Sequence, residues 1–176
     1  MAKRKVQINR APVLTLWAAV VSERLGYDHE TALTLGRAVA GLNAQSKGRR
    51  LGIFEEPKDQ FDEGRVKVQE TRRRLTVPVL GRQVPAVRTA DGIRAAVEGK
   101  PMDPQSVRRY LEQKFGEDLD DVQAALESLA RAHEPEKLAA QAYSLYEKFR
   151  PSVPEGEKGW GAKGELDLNY IRSLAK

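Results

Sequence analysis

Residues 12–42 read PVLTLWAAVVSERLGYDHETALTLGRAVAGL, two apolar segments joined across Leu25-Gly26-Tyr27-Asp28. Pro12 suits a first helical position, because the N–H it lacks has no intrahelical partner there. Val13, Leu16, Trp17, Val20 and Val21 follow at helical spacing. That spacing predicts a helix over Pro12–Leu25 with one apolar face, stopped by Gly26. Asp28 then suits the cap of a second helix, its carboxylate accepting from first-turn N–H groups. Ala32, Leu35, Val39 and Leu42 form the buried stripe of that helix, and Gly36 and Ala40, four apart, allow close approach of a neighbouring helix. Leu14–Leu42 thus has the plan of a helix-turn-helix, with a turn of fitting length and a glycine in it. Its second helix is poorly built to read bases. Asp28, His29 and Glu30 occupy the turn from which bases are read, and carboxylates there are repelled by phosphate.

Outward from this unit, Ala2–Arg10 reads as a basic, mobile arm, and Gly48 and Gly52 interrupt the chain after the second helix. Glu55–Gly64 is polar and holds Pro57, so it reads as a loop or domain boundary. Val66–Leu75 reads as a short helix carrying Arg72, Arg73 and Arg74. Thr76–Val87, TVPVLGRQVPAV, reads as a hairpin with Gly81 first in its turn. Pro78 and Pro85 remove ladder donors and make both arms edge strands. Asp91–Glu98 reads as a helix. Three more helices come after it, opened by Asp103-Pro104, Asp118 and Pro135 and closed by Gly116 and Pro151. They predict an antiparallel or orthogonal bundle. The stretch from Arg150 to Leu168 reads as an irregular loop before a last helix over Asp167–Leu174.

The expected fold class is therefore mainly α: an N-terminal helix-turn-helix-like unit, a small β-hairpin and a C-terminal helical bundle. The expected division is 1–54 and 65–176, or one continuous domain. At 176 residues the chain can bury a core without staples. It has no cysteine, which excludes disulfides, thiolate metal sites and cysteine nucleophiles and fits a reducing compartment. No apolar run is long enough to span a bilayer. No membrane association is expected, and a cytoplasmic location is.

Lys and Arg number 30 against 25 Asp and Glu, a net charge of +5, which favours acidic partners and nucleic acid above all. The candidate phosphate-contacting residues are Lys3, Arg4, Lys5, Arg37, Lys47, Arg49, Arg50, Arg72 and Arg73. Such a set binds the backbone without choosing sequence. Lys47–Arg50 also complement the negative end of a helix dipole, a purely local reason for their charge. Gly159–Gly164, GWGAKG, matches a dinucleotide fingerprint literally but lacks the strand before it and the helix after it. No cofactor is expected from it, although Lys158 and Lys163 beside it can reach a phosphate. His29 and His133 have no ligand-spaced neighbours and read as surface histidines. Asp120-Asp121 fits a helix first turn, and no G-x-S-x-G is present. An enzyme is the less favoured reading.

Ile8–Gly52 resembles segments of uncharacterised bacterial proteins over about a quarter of the chain. The resemblance implies a bacterial cytosolic origin and brings no activity, cofactor or site residue. The leading expectation is a non-enzymatic, nucleic-acid-associated protein. The alternative is a protein–protein interaction module using apolar helix surface.

Overall fold

The computed structural model describes residues 5–50, 74–97, 99–151 and 163–175, with side chains throughout except at 43–50, 74 and 163. Its elements are β1 (Lys5–Asn9), α1 (Arg10–Arg24), α2 (His29–Arg50), β2 (Arg74–Val79), β3 (Arg82–Thr89), β4 (Gly92–Val97) and β5 (Lys100–Pro101). They continue as α3 (Pro104–Phe115), a 3₁₀ turn at Gly116–Asp118, α4 (Leu119–Arg131), α5 (Pro135–Phe149), β6 (Lys163–Asp167) and α6 (Leu168–Leu174). The fold is mixed α/β, with a two-stranded antiparallel ribbon β1–β6 and a four-stranded antiparallel sheet β2-β3-β4-β5. This overturns the mainly-α expectation.

Helix α1 is the centre of the molecule. Every residue from Pro12 to Ser22 is buried, so the helix is covered all round and its expected single apolar face is only part of a buried cylinder. α2, α3, α4 and α5 all lie against it. The three C-terminal helices therefore clothe α1 and do not form a separate bundle. α5 is fixed by Trp17, whose indole Nε1 donates to Ala142 O at 2.9 Å and whose ring meets Phe149 edge-on at 5.3 Å. α2 runs antiparallel to α1 in near backbone contact. A Cβ at Gly36 would overlap the Thr15 carbonyl oxygen and stand 3.0 Å from Ala19 N, so only glycine fits there.

The helix-turn-helix expectation fails for a related reason. A recognition helix must leave a face open to a groove. Thr31–Gly36 of α2 are six consecutive buried residues, enclosed between α1 and the sheet. Thr34 Oγ1 accepts from Ala95 N at 3.0 Å, and Thr31 Oγ1 donates to Ile93 O, 2.6 Å away. Two threonine side chains thus satisfy backbone groups of β4 that a neighbouring strand would otherwise satisfy. Arg94, 5% exposed, reinforces the junction through Glu30 Oε1 at 3.0 Å. Asp28 caps α2 as expected, accepting from Thr31 N at 3.2 Å.

Five further expectations are corrected. Gly92–Val97 is a strand where a helix was expected, because pairing with β3 and the α2 threonines outweigh the helix preference of its alanines. Lys5–Asn9 is β1, not a mobile arm, and Lys163–Asp167, expected as loop, is its partner β6. The β2–β3 turn is Leu80-Gly81, both at positive φ, so glycine comes second. β3 is an interior strand, and Pro85 falls just past the last β3–β4 pair, where its missing N–H costs that ladder nothing. The loop or boundary at Glu55–Gly64 and nearly all of the helix expected over Val66–Leu75 lie outside the described residues; Arg74 and Leu75 are in β2.

Candidate nucleic-acid interface

The basic candidates divide by element. Lys5 sits at the start of β1, its Nζ 3.2 Å from Glu165 Oε1 on β6. Arg37 lies on α2 with its guanidinium 4.5 Å from the Tyr110 ring centroid, a cation–π contact that ties α2 to α3. Lys47, Arg49 and Arg50 lie in the last turns of α2. Lys3, Arg4, Arg72 and Arg73 lie outside the described residues, as do Lys158 and Gly159–Ala162 of GWGAKG.

Antiparallel packing fixes where the end of α2 goes. The 22-residue α2 outruns the 15-residue α1 by about 10 Å at 1.5 Å per residue. Its final segment, NAQSKGRR, carries three cations and no carboxylate, and it leaves the hairpin at the end where α1 begins. At that same end α1 opens with Arg10. Arg10 Nε donates to Pro151 O at 3.0 Å, and Tyr146 OH donates to Arg10 O at 3.4 Å. These bonds bring Arg150, which comes directly after α5, beside Arg10. The consequence is electrostatic. Burial, then the Arg150 charge, push the Arg10 guanidinium below arginine's ordinary pKa, while Tyr146 opposes them. The Arg10 guanidinium nevertheless stays charged, since arginine does not deprotonate in proteins. Among the described residues neither guanidinium is ion-paired to a carboxylate within 4.0 Å. Lys163 joins the same end, because β6 places it opposite Asn9, the residue before Arg10.

The structure therefore gathers the start of α1, the end of α5, the start of β6 and the exit of α2 at one end. Lys5 is set back four residues along β1, about 13 Å of strand, and is not part of the group. Sequence reasoning missed Arg10 and Arg150 as a pair. Their proximity arises from the packing of Tyr146 and Phe149 onto α1, and no local motif announces it.

His29 Nδ1 is 2.9 Å from Glu23 Oε2. His133 Nδ1 is 3.1 Å from Leu129 O, and its own carbonyl accepts from Arg24 Nη2. Asp120 and Asp121 stand in the first turn of α4, as expected. Among the described residues no three His, Asp or Glu side chains cluster as a metal site, and no helix is long and apolar enough to cross a membrane. No family model, curated protein or solved structure matches the chain.

Proposed function

We propose that the protein is a non-enzymatic nucleic-acid-associated protein that contacts the phosphate backbone, without sequence choice, through the end of the molecule where Arg10 and Arg150 meet the exit of α2. The observation that carries this reading is that Arg10 binds the Pro151 carbonyl, next to Arg150, and that the Arg150 charge is near enough to lower the Arg10 pKa, although the two come from distant parts of the chain. Two like charges side by side repel, and a phosphate between them relieves that repulsion. The final segment of α2, whose sequence holds Lys47, Arg49 and Arg50 and no carboxylate, leaves the α1–α2 hairpin at this same end. The acidic first turn of α2 belongs to the opposite end of the α1–α2 hairpin, so it does not oppose phosphate here. It offers no base-reading helix either.

The alternative, docking through apolar helix surface, has less to stand on. Among the described residues the large apolar side chains left exposed are Val97 and Tyr170, on different elements. Fluorescence anisotropy with several unrelated duplexes tests the proposal. The parent should bind all of them with similar affinity, and Arg49→Glu with Arg50→Glu should weaken all alike. Strong preference for one duplex, or undiminished binding by the variant, would count against it.

A further inference from the structure

At the opposite end of the α1–α2 hairpin a cleft of about 230 Å³ opens between α1, α2, α3 and α4. Its floor is apolar, made by Leu16, Ala19, Leu33, Leu111 and Leu119. These floor residues are buried, apart from half-buried Leu119 near the mouth. The mouth is charged. Glu23, Glu112 and Asp120 line it together with a single guanidinium, Arg108, and the imidazole of His29. Glu23 is engaged with His29 at 2.9 Å, which fixes both at the rim. An adjoining depression shares Val20 and Glu23 and adds Arg24, Glu127 and Arg131.

We infer that this cleft is a binding site for a small primary amine on a compact apolar body. Three observations converge on that class. A space of about 230 Å³ suits a small molecule and not a helix or strand of a partner. The floor offers apolar side chains to the body of the ligand, the usual plan of a small-molecule pocket. The mouth carries three carboxylates against one arginine in a chain whose net charge is +5, so its local sign is opposite to that of the whole protein. A cationic head held at Asp120 and Glu112 with its apolar body inward satisfies all three. An anionic head would meet three carboxylates against one guanidinium. The site lies away from Arg10 and Arg150 and stands or falls independently of the nucleic-acid reading.

The test is an NMR titration of the full chain with benzylamine, benzyl alcohol and benzoate, three probes of one shape and different charge. Benzylamine should shift the amides of Ala19, Leu33 and Leu111 saturably and bind tighter than benzoate by up to about fivefold, the upper scale of one exposed charge pair. Asp120→Asn with Glu112→Gln should erase most of that preference while leaving the rest of the spectrum unchanged. Leu119→Trp, which fills the cleft from its half-buried rim, should abolish binding of all three. Absence of saturable shifts with benzylamine overturns the proposal. So does equal or tighter binding of benzoate, and so does a preference that survives the double substitution.

Discussion

Replacing Gly36 by alanine adds one methyl group at the tightest point of the molecule. The new Cβ would overlap the Thr15 carbonyl oxygen and lie 3.0 Å from Ala19 N and 3.3 Å from Ala19 Cβ. Two of those three atoms are backbone of a helix buried on every side, so no side-chain rotation relieves the clash. α1 and α2 must separate, and Leu35, Val39 and Ala40 lose packing as they do. Overpacking of this kind costs about 3 kcal/mol, the upper part of its usual range. Alanine's better helix propensity returns about 1 kcal/mol. The net is a loss of about 2 kcal/mol, or roughly 4–8 °C in melting temperature for a chain of this size. Gly41 is the control on the same helix. A Cβ there meets nothing within 4 Å. Gly41→Ala should therefore gain about 0.5–1 kcal/mol from propensity alone. Urea unfolding of both variants, monitored by circular dichroism, reads the difference as opposite shifts in midpoint. A Gly36→Ala protein as stable as its parent would refute the backbone contact between α1 and α2, and with it the account of why α2 is enclosed.

Other substitutions test the same architecture. Thr34→Val keeps shape but leaves Ala95 N without its acceptor, and should destabilise by about 1–3 kcal/mol in urea unfolding. Ser22 is buried and its hydroxyl has no hydrogen-bond partner among the described residues, so Ser22→Ala should leave the unfolding midpoint unchanged or raise it. Burial pushes the Tyr146 phenol well above its ordinary pKa, with Arg150 and Arg10 opposing. The folded protein thus keeps a proton that the unfolded chain releases above about pH 10. Stability should be full below that pH and fall as pH rises past it. Tyr146→Phe should flatten the alkaline fall seen by pH-dependent denaturation, leaving the smaller share of Tyr110, which burial also raises.

Local chemistry made much of the helical structure legible. Gly26 and Asp28 mark the α1–α2 turn, and Gly26 adopts a φ of 112°, whereas α1 begins at Arg10, two residues before the proline expected to open it. Asp103 caps α3 through Gln105 N, and Val107, Leu111 and Phe115 face inward at the spacing read from the sequence. The parts that were not legible depend on partners far along the chain. β1 is five residues whose pairing partner is β6, near the other end of the sequence. IRAAV alone favours a helix, and only the α2 threonines and β3 make it a strand. Val13–Val21 is rich enough in apolar residues to be buried all round, yet its spacing resembles a one-sided helix. The same distance hid the candidate interface. Lys47, Arg49 and Arg50 stand out in sequence, but Arg10 joins Arg150 only once Trp17, Tyr146 and Phe149 have packed α5 against α1.

The dependence of DNA affinity on salt tests the proposed function most directly. Each phosphate neutralised on duplex DNA adds about −0.9 to the slope of log affinity against log salt. About four contacts from Arg10, Arg150 and the end of α2 would lower affinity on the order of a hundredfold between roughly 50 and 200 mM salt. Arg49→Ala with Arg50→Ala should flatten the slope by up to about 1.8, and Arg150→Ala by about 0.9 more, for every duplex alike. Undetectable binding at low salt, or a slope that none of these substitutions changes, would contradict the account.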